Sequence, residues 1–363
     1  MTKKVLVLGG QGRIGKSVAL DIASHTDADV IVTGRQKKQN LEKGLDFLAL
    51  DLADTEALRK AIASSDLVIH CAGPFHYRDG KVVELSIEEG VNYLDVSDHR
   101  SFYERVVKYR TDAIDKGVTA VLNTGIFPGI SNSMVRQGVE GLDSAEKIHL
   151  SYVVAGSGGA GVTVMRTTFL GLDRPFKAWI GRKWQQVLPY SDRETVEFPQ
   201  PYGKIGVYWF DVPETHSFPE SFGVDSVITK FGSYPDLYNH LTWITAHIFP
   251  RSWVQSKAGI EFFSQVSYFM TLISDRFSGI GVAMRSEITG KKDGKTAIFR
   301  STMLHENTAI AAGMGTGTVA ELILSGKLNK PGIWPVERAL STDLFIEAMN
   351  SRKIEIKQEL SWD

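Results

Sequence analysis

Nine residues that follow the first apolar run, GGQGRIGKS, contain glycines, a lysine and a hydroxyl at spacings suited to phosphate binding. Gly10, Gly12 and Gly15 give the G-x-G-x-x-G of a dinucleotide-binding turn. Gly10 and Gly15 with Lys16-Ser17 also give the G-x-x-x-x-G-K-[ST] of a P-loop. Both motifs place phosphate on backbone N–H groups at a helix N-terminus. From these nine residues alone, the ligand of the turn could be either a dinucleotide or a nucleoside triphosphate.

The end of the second predicted strand favours the dinucleotide. Arg35 lies twenty residues after Gly15, where NAD enzymes usually carry an acidic residue for the ribose 2′-OH. An arginine there suits the 2′-phosphate of NADP, and Lys37 and Lys38 add positive charge beside it. A P-loop has no use for a cation at this point, and the Asp-x-x-Gly of guanine-nucleotide switches does not occur in the sequence. NADP is the predicted cofactor, and a P-loop hydrolase is the third-ranked function.

The predicted cofactor site joins the glycine-rich turn to the ends of neighbouring strands. Asp51 ends the third strand and would contact adenine, or would hold magnesium if the turn were a P-loop. Gly73 follows the fourth strand and would let the backbone approach the cofactor, although a simple turn explains it too. The predicted cofactor-binding residues are Gly10, Gly12, Arg13, Ile14, Gly15, Arg35, Lys37, Asp51, Ala72, Gly73, Pro74 and Phe75.

Three side chains near the same strand ends are candidates for proton transfer. Asp98 could orient His99, which would give an acid–base pair active near neutral pH. The alternative is that Asp98 caps a helix starting near Ser101 and that His99 is a surface residue. Tyr77 and Lys81 imitate the catalytic pair of short-chain reductases, but a turn signal lies between them and favours coincidence.

Regularly spaced apolar runs in the first 125 residues predict the elements that position these side chains. Helical stripes separate most of the runs, and the pattern is typical of a Rossmann domain, an α/β fold with a doubly wound parallel sheet. The six predicted strands are Val5–Leu8, Val30–Val32, Phe47–Leu50, Leu67–Ile69, Tyr93–Val96 and Ala120–Leu122.

After Pro128 the alternation stops, and strand patterns surround a helix-rich block at about 236–277. This middle region is predicted to be an α+β domain with a mixed or antiparallel sheet. A helix is predicted near 306–325 and an alternating segment at 353–360. The predicted divisions are 1–127 for NADP binding, 128–305 for substrate and catalysis, and 306–363 for a C-terminal segment.

Three stretches resemble the saccharopine dehydrogenase-like family of NAD(P)-dependent oxidoreductases. They are residues 71–98, with CAGPFHYRDGKVV, residues 123–132, NTGIFPGISN, and residues 327–337, KLNKPGIWPVE. The resemblance implies a Rossmann domain, an inserted α+β domain and a C-terminal segment that packs back on the first domain. It also implies hydride transfer with NAD(P). Family members that use amino-acid conjugates tend to carry Asp before the Pro-Gly, where this chain has Phe127. The resemblance therefore does not imply saccharopine as the substrate.

One apolar stripe has several interpretations. Phe262, Val266, Phe269, Met270, Ile273 and Phe277 recur at helical spacing. A helix buried in the core of the second domain is the ordinary interpretation, and a homodimer interface is the next. The stripe could also line an apolar pocket for a hydrophobic substrate, or form an edge for peripheral membrane contact.

Composition narrows the function further. The chain has 41 Lys+Arg and 42 Asp+Glu, which argues against a nucleic-acid partner. One cysteine in 363 residues fits a reducing compartment and predicts a cytoplasmic protein. Nine histidines without close spacing give no metal signal. The predicted function is an NADP-dependent oxidoreductase with a small-molecule substrate in the interdomain cleft, and the alternative is a non-catalytic NADP(H) sensor or scaffold.

Overall fold

A computed structural model gives the fold, and its elements are described here for residues 2–36, 42–158, 161–172 and 174–362. The chain divides into two compact units, each built from two separate stretches of sequence. Unit 1 comprises Met1–Ile130 and Ala309–Ala348, and unit 2 comprises Ser131–Thr308 and Met349–Asp363.

Unit 1 contains a parallel sheet of seven described strands in the order β15-β6-β5-β4-β1-β2-β3. All six strands predicted for the Rossmann domain are present, although the third begins two residues earlier than predicted. The seventh strand comes from the C-terminal part of the chain and pairs with β6. The strands are β1 (Lys4–Leu8), β2 (Asp29–Gly34), β3 (Leu45–Ala49), β4 (Leu67–His70), β5 (Asn92–Asp95), β6 (Thr119–Leu122) and β15 (Gly332–Pro335).

Buried aliphatic strands alternate with amphipathic helices in this unit, and that alternation places the helices on the sheet. On α2, for example, Leu58 and Ile62 are fully buried one turn apart, and Asp54 caps the helix by accepting a hydrogen bond from the Ala57 N–H. The helices are α1 (Arg13–His25), α2 (Thr55–Ala63), α3 (Lys81–Glu88), α4 (Arg100–Val106), α5 (Arg110–Asp115), α12 (Thr308–Leu324), α13 (Val336–Ala339) and α14 (Thr342–Ser351).

Unit 2 contains a mixed sheet in the order β10-β11-β12-β7-β13-β14-β16, in which only the described pair β12 and β7 is parallel. A separate hairpin pairs β8 with β9. The strands are β7 (Ser144–Ala155), β8 (Phe176–Ile180), β9 (Lys183–Val187), β10 (Glu194–Phe198), β11 (Gly203–Trp209), β12 (Ser226–Tyr234), β13 (Val282–Lys292), β14 (Lys295–His305) and β16 (Ile356–Trp362).

Helices α6 and α8 supply buried side chains to one face of this sheet, where Val135 and Phe218 join Ile148 and Leu150 of β7 in one core cluster. The predicted α+β character of the middle region is therefore confirmed, whereas β10 and α8 were not predicted. The helices of unit 2 are α6 (Ile130–Glu140), α7 (Val162–Leu170), α8 (Glu214–Phe222), α9 (Leu237–His247), α10 (Arg251–Val254) and α11 (Lys257–Ser278).

Two features differ from the sequence-based expectation. The predicted C-terminal segment 306–363 does not stay with the Rossmann domain throughout, because β16 pairs antiparallel with β14 and so belongs to unit 2. The buried-core interpretation of the apolar stripe on α11 is wrong as well. Phe263 and Ser264 face the interior, whereas Phe262, Phe269 and Phe277 are exposed.

Close backbone packing fixes α12 inside unit 1. A Cβ atom on Gly315 would lie 2.2 Å from the carbonyl oxygen of Gly125, just beyond β6. A Cβ atom on Gly313 would lie 2.6 Å from the backbone of Ser17 on α1. Glycine at these positions lets α12 approach both elements more closely than any other residue would allow.

We predict that Gly315→Ala destabilises unit 1 although alanine is the better helix former. The inserted methyl group meets rigid backbone, so overpacking of about 1–3 kcal/mol exceeds the gain of about 1 kcal/mol in helix propensity. Thermal unfolding followed by circular dichroism should show a lower midpoint. Ile310→Ala, at an exposed position on the same helix, is the control, and an equal midpoint for both variants would contradict the packing argument.

Candidate active site

The glycine-rich turn between β1 and α1 is built from backbone in close contact. Gly9 has a φ of +75°, which glycine adopts freely, and a Cβ atom on Gly15 would lie 2.4 Å from the Gly9 carbonyl oxygen. A Cβ atom on Gly10 would lie 2.6 Å from Cβ of Val32 on β2. Gly12 is the N-cap of α1 and provides no side-chain cap. The start of α1 is therefore a backbone surface suited to an anion.

The same geometry is incompatible with a P-loop. The Lys16 N–H donates to the Gly12 carbonyl within the helix, and its ammonium group pairs with Glu42 at 2.5 Å. The Ser17 hydroxyl donates to the Arg13 carbonyl at 3.1 Å. The lysine and hydroxyl that a P-loop directs to triphosphate and magnesium therefore serve the helix and its surface. The dinucleotide interpretation of the turn remains.

The parallel sheet brings most of the predicted cofactor residues to one edge. Arg35 directly follows β2, Asp51 follows β3, and residues 72–75 follow β4, so all lie beyond carboxyl ends of strands. The Arg35 side chain is exposed and has no hydrogen-bond partner or ion pair among the described residues. Asp51 accepts a hydrogen bond from the Ala53 N–H at 3.0 Å. Lys37 and Lys38 lie outside the described residues.

Two arginines hold the turn after β4 in place. Arg78 donates from Nε to the Ala72 carbonyl at 2.7 Å. Arg105 on α4 donates to the carbonyl oxygens of His76 and Arg78, at 2.9 and 2.5 Å, and reaches that of Phe75 at 3.4 Å. Because a planar guanidinium group offers several fixed donors, these arginines set the path of residues 72–78. The backbone of Ala72 in turn packs against Gly9, whose Cβ atom would lie 3.0 Å away.

Arg105 also begins a chain of hydrogen bonds that ends at a histidine pair. Its guanidinium donates to the Ser101 hydroxyl at 2.7 Å, and that hydroxyl lies 2.8 Å from Nδ1 of His99. The Ser101 N–H also donates to Nδ1 of His99, so this nitrogen is an acceptor and the His99 proton resides on Nε2. Nε2 of His99 lies 3.2 Å from Nδ1 of His76 and donates to it. We call this chain of hydrogen bonds from Arg105 to His76 the relay. Since Nδ1 of His76 accepts a hydrogen bond, the His76 proton is on Nε2.

This arrangement differs from both interpretations of Asp98. The N-cap of α4 is His99 itself, since its ring accepts the Ser101 N–H, and both ring nitrogens of His99 are bonded to His76 and Ser101 rather than to Asp98. Burial is the main cause that lowers the pKa of His99 to about 4, and the cations Arg100 and Arg105 add to it. His99 is therefore neutral at physiological pH, as the relay requires.

Tyr77 and Lys81 do not form the pair of short-chain reductases. Tyr77 ends a short 3-10 turn and is exposed, whereas Lys81 begins α3 beyond the left-handed Gly80. The ammonium group of Lys81 donates to the Thr55 hydroxyl at 2.8 Å. His76 and Arg105 were missed by sequence reasoning, because 23 and more residues separate partners that only the parallel strands bring together.

Comparison with known proteins identifies a related NADP-binding domain. Residues 5–121 match the family described as the saccharopine dehydrogenase NADP binding domain. These residues form an NADP-binding domain of the saccharopine dehydrogenase family. The matched range covers the glycine turn, Arg35 and the relay, and it ends within β6.

Relatives and solved structures extend the comparison. A saccharopine dehydrogenase-like oxidoreductase of Rattus norvegicus is 26% identical over 145 residues, 34% of this chain and 34% of the relative. A probable mitochondrial saccharopine dehydrogenase-like oxidoreductase of Arabidopsis thaliana is 32% identical over 80 residues, 22% of this chain and 18% of the relative. The matches thus span about a third or less of these relatives. An apo saccharopine dehydrogenase (L-Glu forming) of Saccharomyces cerevisiae, 16% identical, shares the fold over 99% of this chain and 100% of its own, with a TM-score of 0.70.

A buried carboxylate organises the strand ends of the NADP-binding domain. Oδ1 of Asp95 accepts hydrogen bonds from the Ser97 N–H and hydroxyl and from the Asn123 N–H, at 3.0, 2.6 and 2.9 Å. Thr124 donates from its N–H and its hydroxyl to the Asp95 carbonyl, and its hydroxyl also lies 3.2 Å from that of Thr316 on α12. One residue thus connects β5 with the chain after β6, and Thr124 extends the connection to α12.

Unit 2 contains a second polar site that sequence reasoning missed. A cavity of about 570 Å³ lies on its sheet and is lined mainly by charged residues of four strands. Residues two apart on a strand share a face, as His149 and Ser151 do on β7 and Arg285 and Glu287 do on β13. The charges are largely paired, with His149 against Glu194 at 3.2 Å and Arg285 against Glu287 at 2.8 Å. This pairing favours a structural role for the cluster.

We predict that Asp95 makes the stability of the NADP-binding domain depend on pH. Burial raises the pKa of its carboxyl group from an ordinary 3.8 to about 6, so the folded state prefers the neutral acid. The protonated Asp95 makes its full contribution to the free energy of unfolding below pH 3.8, and this contribution is lost as pH rises through 6. The loss is about 3 kcal/mol for a pKa shift of this size. Asp95→Asn should remove this dependence.

The measurement is urea unfolding of wild type and variant between pH 4 and 7. The free energy of unfolding of Asp95→Asn relative to wild type should rise by about 2.4 kcal/mol over this range, because part of the change already occurs below pH 4. Asp112→Asn, at an exposed position of the same domain, is the control and should show a flat difference. A flat difference for Asp95→Asn as well would mean that the carboxyl group has an ordinary pKa.

Proposed function

We propose that the protein is an NADP-dependent oxidoreductase that transfers hydride to or from a small organic molecule. The observation that carries the proposal is the uncapped start of α1 in a glycine turn, with the exposed Arg35 at the end of the adjacent strand β2. Backbone N–H groups and a guanidinium group are donors only, so both complement phosphate oxygens.

The residues present fit the group that the family binds. A side chain at Gly10 or Gly15 would fill space occupied by Val32 or by the Gly9 carbonyl, so the turn can present backbone alone. The start of α1 would hold the pyrophosphate and Arg35 the 2′-phosphate, while Gly73 would allow close approach beyond β4. NADPH supplies a hydride when it is bound. The chain itself must supply orientation and a proton.

His76 is the residue of this chain best placed to give that proton. It follows the turn 72–75 at the cofactor edge of the sheet, and the relay from Arg105 through Ser101 and His99 leaves its proton on Nε2. Reduction of a carbonyl group takes a hydride at carbon and a proton at oxygen, which a neutral imidazole can donate. His99 then positions His76, whereas Tyr77, a candidate from the sequence, contacts the His76 ring edge to face with ring centroids 4.9 Å apart.

The substrate class follows from a departure in the Pro-Gly loop. Phe127, half-buried, stands where family members acting on amino-acid conjugates tend to carry Asp. An apolar ring there favours a hydrophobic carbonyl compound or alkene over an amino-acid conjugate. The cytoplasmic location remains a prediction from cysteine usage, and the Arabidopsis relative is named as probably mitochondrial.

A non-catalytic NADP(H) sensor is the second candidate. It is favoured by the position of Asp98, which does not form the expected acid–base pair with His99. The two functions share the cofactor site and differ only in turnover. Binding of NADPH without turnover of hydrophobic ketones, enones or amino-acid conjugates would favour the sensor.

We predict that NADPH binds more tightly than NADH and that Arg35→Ala removes the preference. A charge-assisted contact with the 2′-phosphate contributes about 1.5–3 kcal/mol, or roughly ten- to hundredfold in affinity. Titration calorimetry with NADPH, NADH and magnesium ATP measures it. Lys60→Ala, which removes an exposed cation elsewhere on the domain, should change neither affinity. Equal NADH and NADPH affinity in wild type would refute the assignment of Arg35.

We also predict that His76→Phe strongly slows turnover while NADPH still binds, because the variant loses only the proton donor. Single-turnover loss of NADPH absorbance is measured with hydrophobic ketones, enones and amino-acid conjugates. The rate should fall by 10²–10⁴, the usual contribution of general acid catalysis. His240→Phe, exposed in unit 2, is the control. A wild-type rate for His76→Phe would exclude His76 as the donor, and turnover of amino-acid conjugates alone would overturn the hydrophobic substrate class.

A further inference from the structure

The helices α9, α10 and α11 of unit 2 expose an unusually apolar surface. On α11, Phe262, Val266, Phe269, Ile273 and Phe277 are all exposed, with Phe269 at 65% and Phe277 at 88%. Their spacing of three or four residues places them in one stripe, about 22 Å long at 1.5 Å per residue. We call this stripe, together with the exposed apolar residues of α9 and α10, the apolar face.

Aromatic contacts connect the part of the apolar face on α10 with the start of α11. The ring of Trp253 on α10 lies 5.6 Å from that of Phe262 on α11 and 5.5 Å from that of Phe249. Trp243 on α9 is exposed as well. At about 200 Å² for each side chain, the six exposed aromatic residues between positions 243 and 277 leave on the order of 600 Å² accessible. This aromatic area alone equals the area of the largest apolar patch on a typical soluble monomer. The exposed aliphatic residues add to it.

The charges around the apolar face are predominantly positive. Arg251, Lys257 and Arg276 are exposed and have no ion pair or hydrogen-bonded side chain among the described residues. The carboxylate of Glu261 is occupied by a two-pronged contact with Arg166, at 2.7 and 2.8 Å.

The second carboxylate of α11 is also engaged. The oxygens of Asp275 accept hydrogen bonds from the Ser157 N–H and hydroxyl, at 2.9 and 2.7 Å. Among the described residues of α9, α10 and α11, three cations without a partner therefore stand against one carboxylate without a cationic partner. A broad apolar surface with cations at its margin and tryptophans among its rings is the composition of helices that lie in the lipid–water interface.

Two other occupants fit these observations less well. In the described part of the chain no helix is long and apolar enough to cross a bilayer, so insertion as a span does not account for the face. In a twofold dimer the same patch meets itself, so the unpaired cations of both copies would enter one interface that offers no free carboxylates to receive them. The surface of an anionic membrane accommodates both the exposed rings and the unpaired cations, because its acyl region receives the rings and its phosphates pair with the cations.

We propose that the apolar face of α9–α11 docks the protein on the surface of an anionic phospholipid membrane. Phe269 and Phe277 enter the acyl boundary, while Arg251, Lys257 and Arg276 contact lipid phosphates. Docking is peripheral and reversible, and it depends on ionic strength because part of the attraction is electrostatic.

Co-sedimentation of the full-length protein with vesicles tests the proposal. The vesicles contain phosphatidylcholine alone or phosphatidylcholine with 30% phosphatidylglycerol, at about 50 and 500 mM salt, values chosen to vary the Debye length. Binding is expected with the anionic vesicles at low salt and should weaken at high salt. Phe277→Glu should reduce it at least tenfold, and this substitution at a side chain 88% exposed leaves the fold intact.

Matched variants separate the apolar and electrostatic contributions. Leu188→Glu introduces the same charge at an exposed leucine elsewhere in unit 2 and should bind like wild type. Joint replacement of Arg251, Lys257 and Arg276 by glutamine should weaken binding roughly a hundredfold, at about fivefold for each cation near an anionic surface. The same replacement of the exposed Lys183, Lys291 and Lys295 should not.

Three results would overturn the proposal. The first is the absence of binding to anionic vesicles. The second is equal binding to neutral and anionic vesicles, which would remove the role of the cations. The third is a concentration-dependent dimer, detected by analytical ultracentrifugation without vesicles and abolished by Phe277→Glu, which would assign the apolar face to a second copy of the chain.

Discussion

The carboxylate of Asp95 fixes the cofactor edge of the NADP-binding domain. A parallel sheet aligns the carboxyl ends of its strands, but it does not determine how the chain continues after each of them. Here one buried oxygen gathers three donors from Ser97 and Asn123, and the Asn123 side chain bonds back to the Ser97 carbonyl. The chain therefore leaves β5 and β6 along defined paths. The segment that leads to His99 and α4 begins from this arrangement.

The sequence was most informative where a local backbone requirement admits one residue type. Gly10 and Gly15 tolerate no side chain, and glycine at those positions is visible without a structure. The buried strands of the Rossmann domain follow the same logic, because runs such as Val5–Leu8 are apolar on both faces. Arg35 could be placed at a strand end from its distance to Gly15. These features depend on a few consecutive residues, which is why a single sequence predicts them.

Features that depend on distant partners could not be predicted in this way. His99 was assigned a role with its neighbour Asp98, yet its partners are Ser101 and the distant His76. The stripe on α11 has the periodicity of a buried helix, but periodicity identifies an apolar side and not what covers it. Strand β15 has four residues that end in proline, too short for an apolar pattern. Pairing with β6 makes it a strand.

The path of the chain between the two units has a consequence for synthesis on the ribosome. The polypeptide passes from unit 1 to unit 2, back at residue 309, and again to unit 2 at residue 349. When the first 300 residues have emerged, neither unit is complete. The sheet of unit 1 still lacks β15 and its helix α12, and the sheet of unit 2 still lacks β16. Until residues 356–362 appear, β14 presents an open edge to other chains. Protection of that edge by a chaperone would therefore matter more during translation than after it.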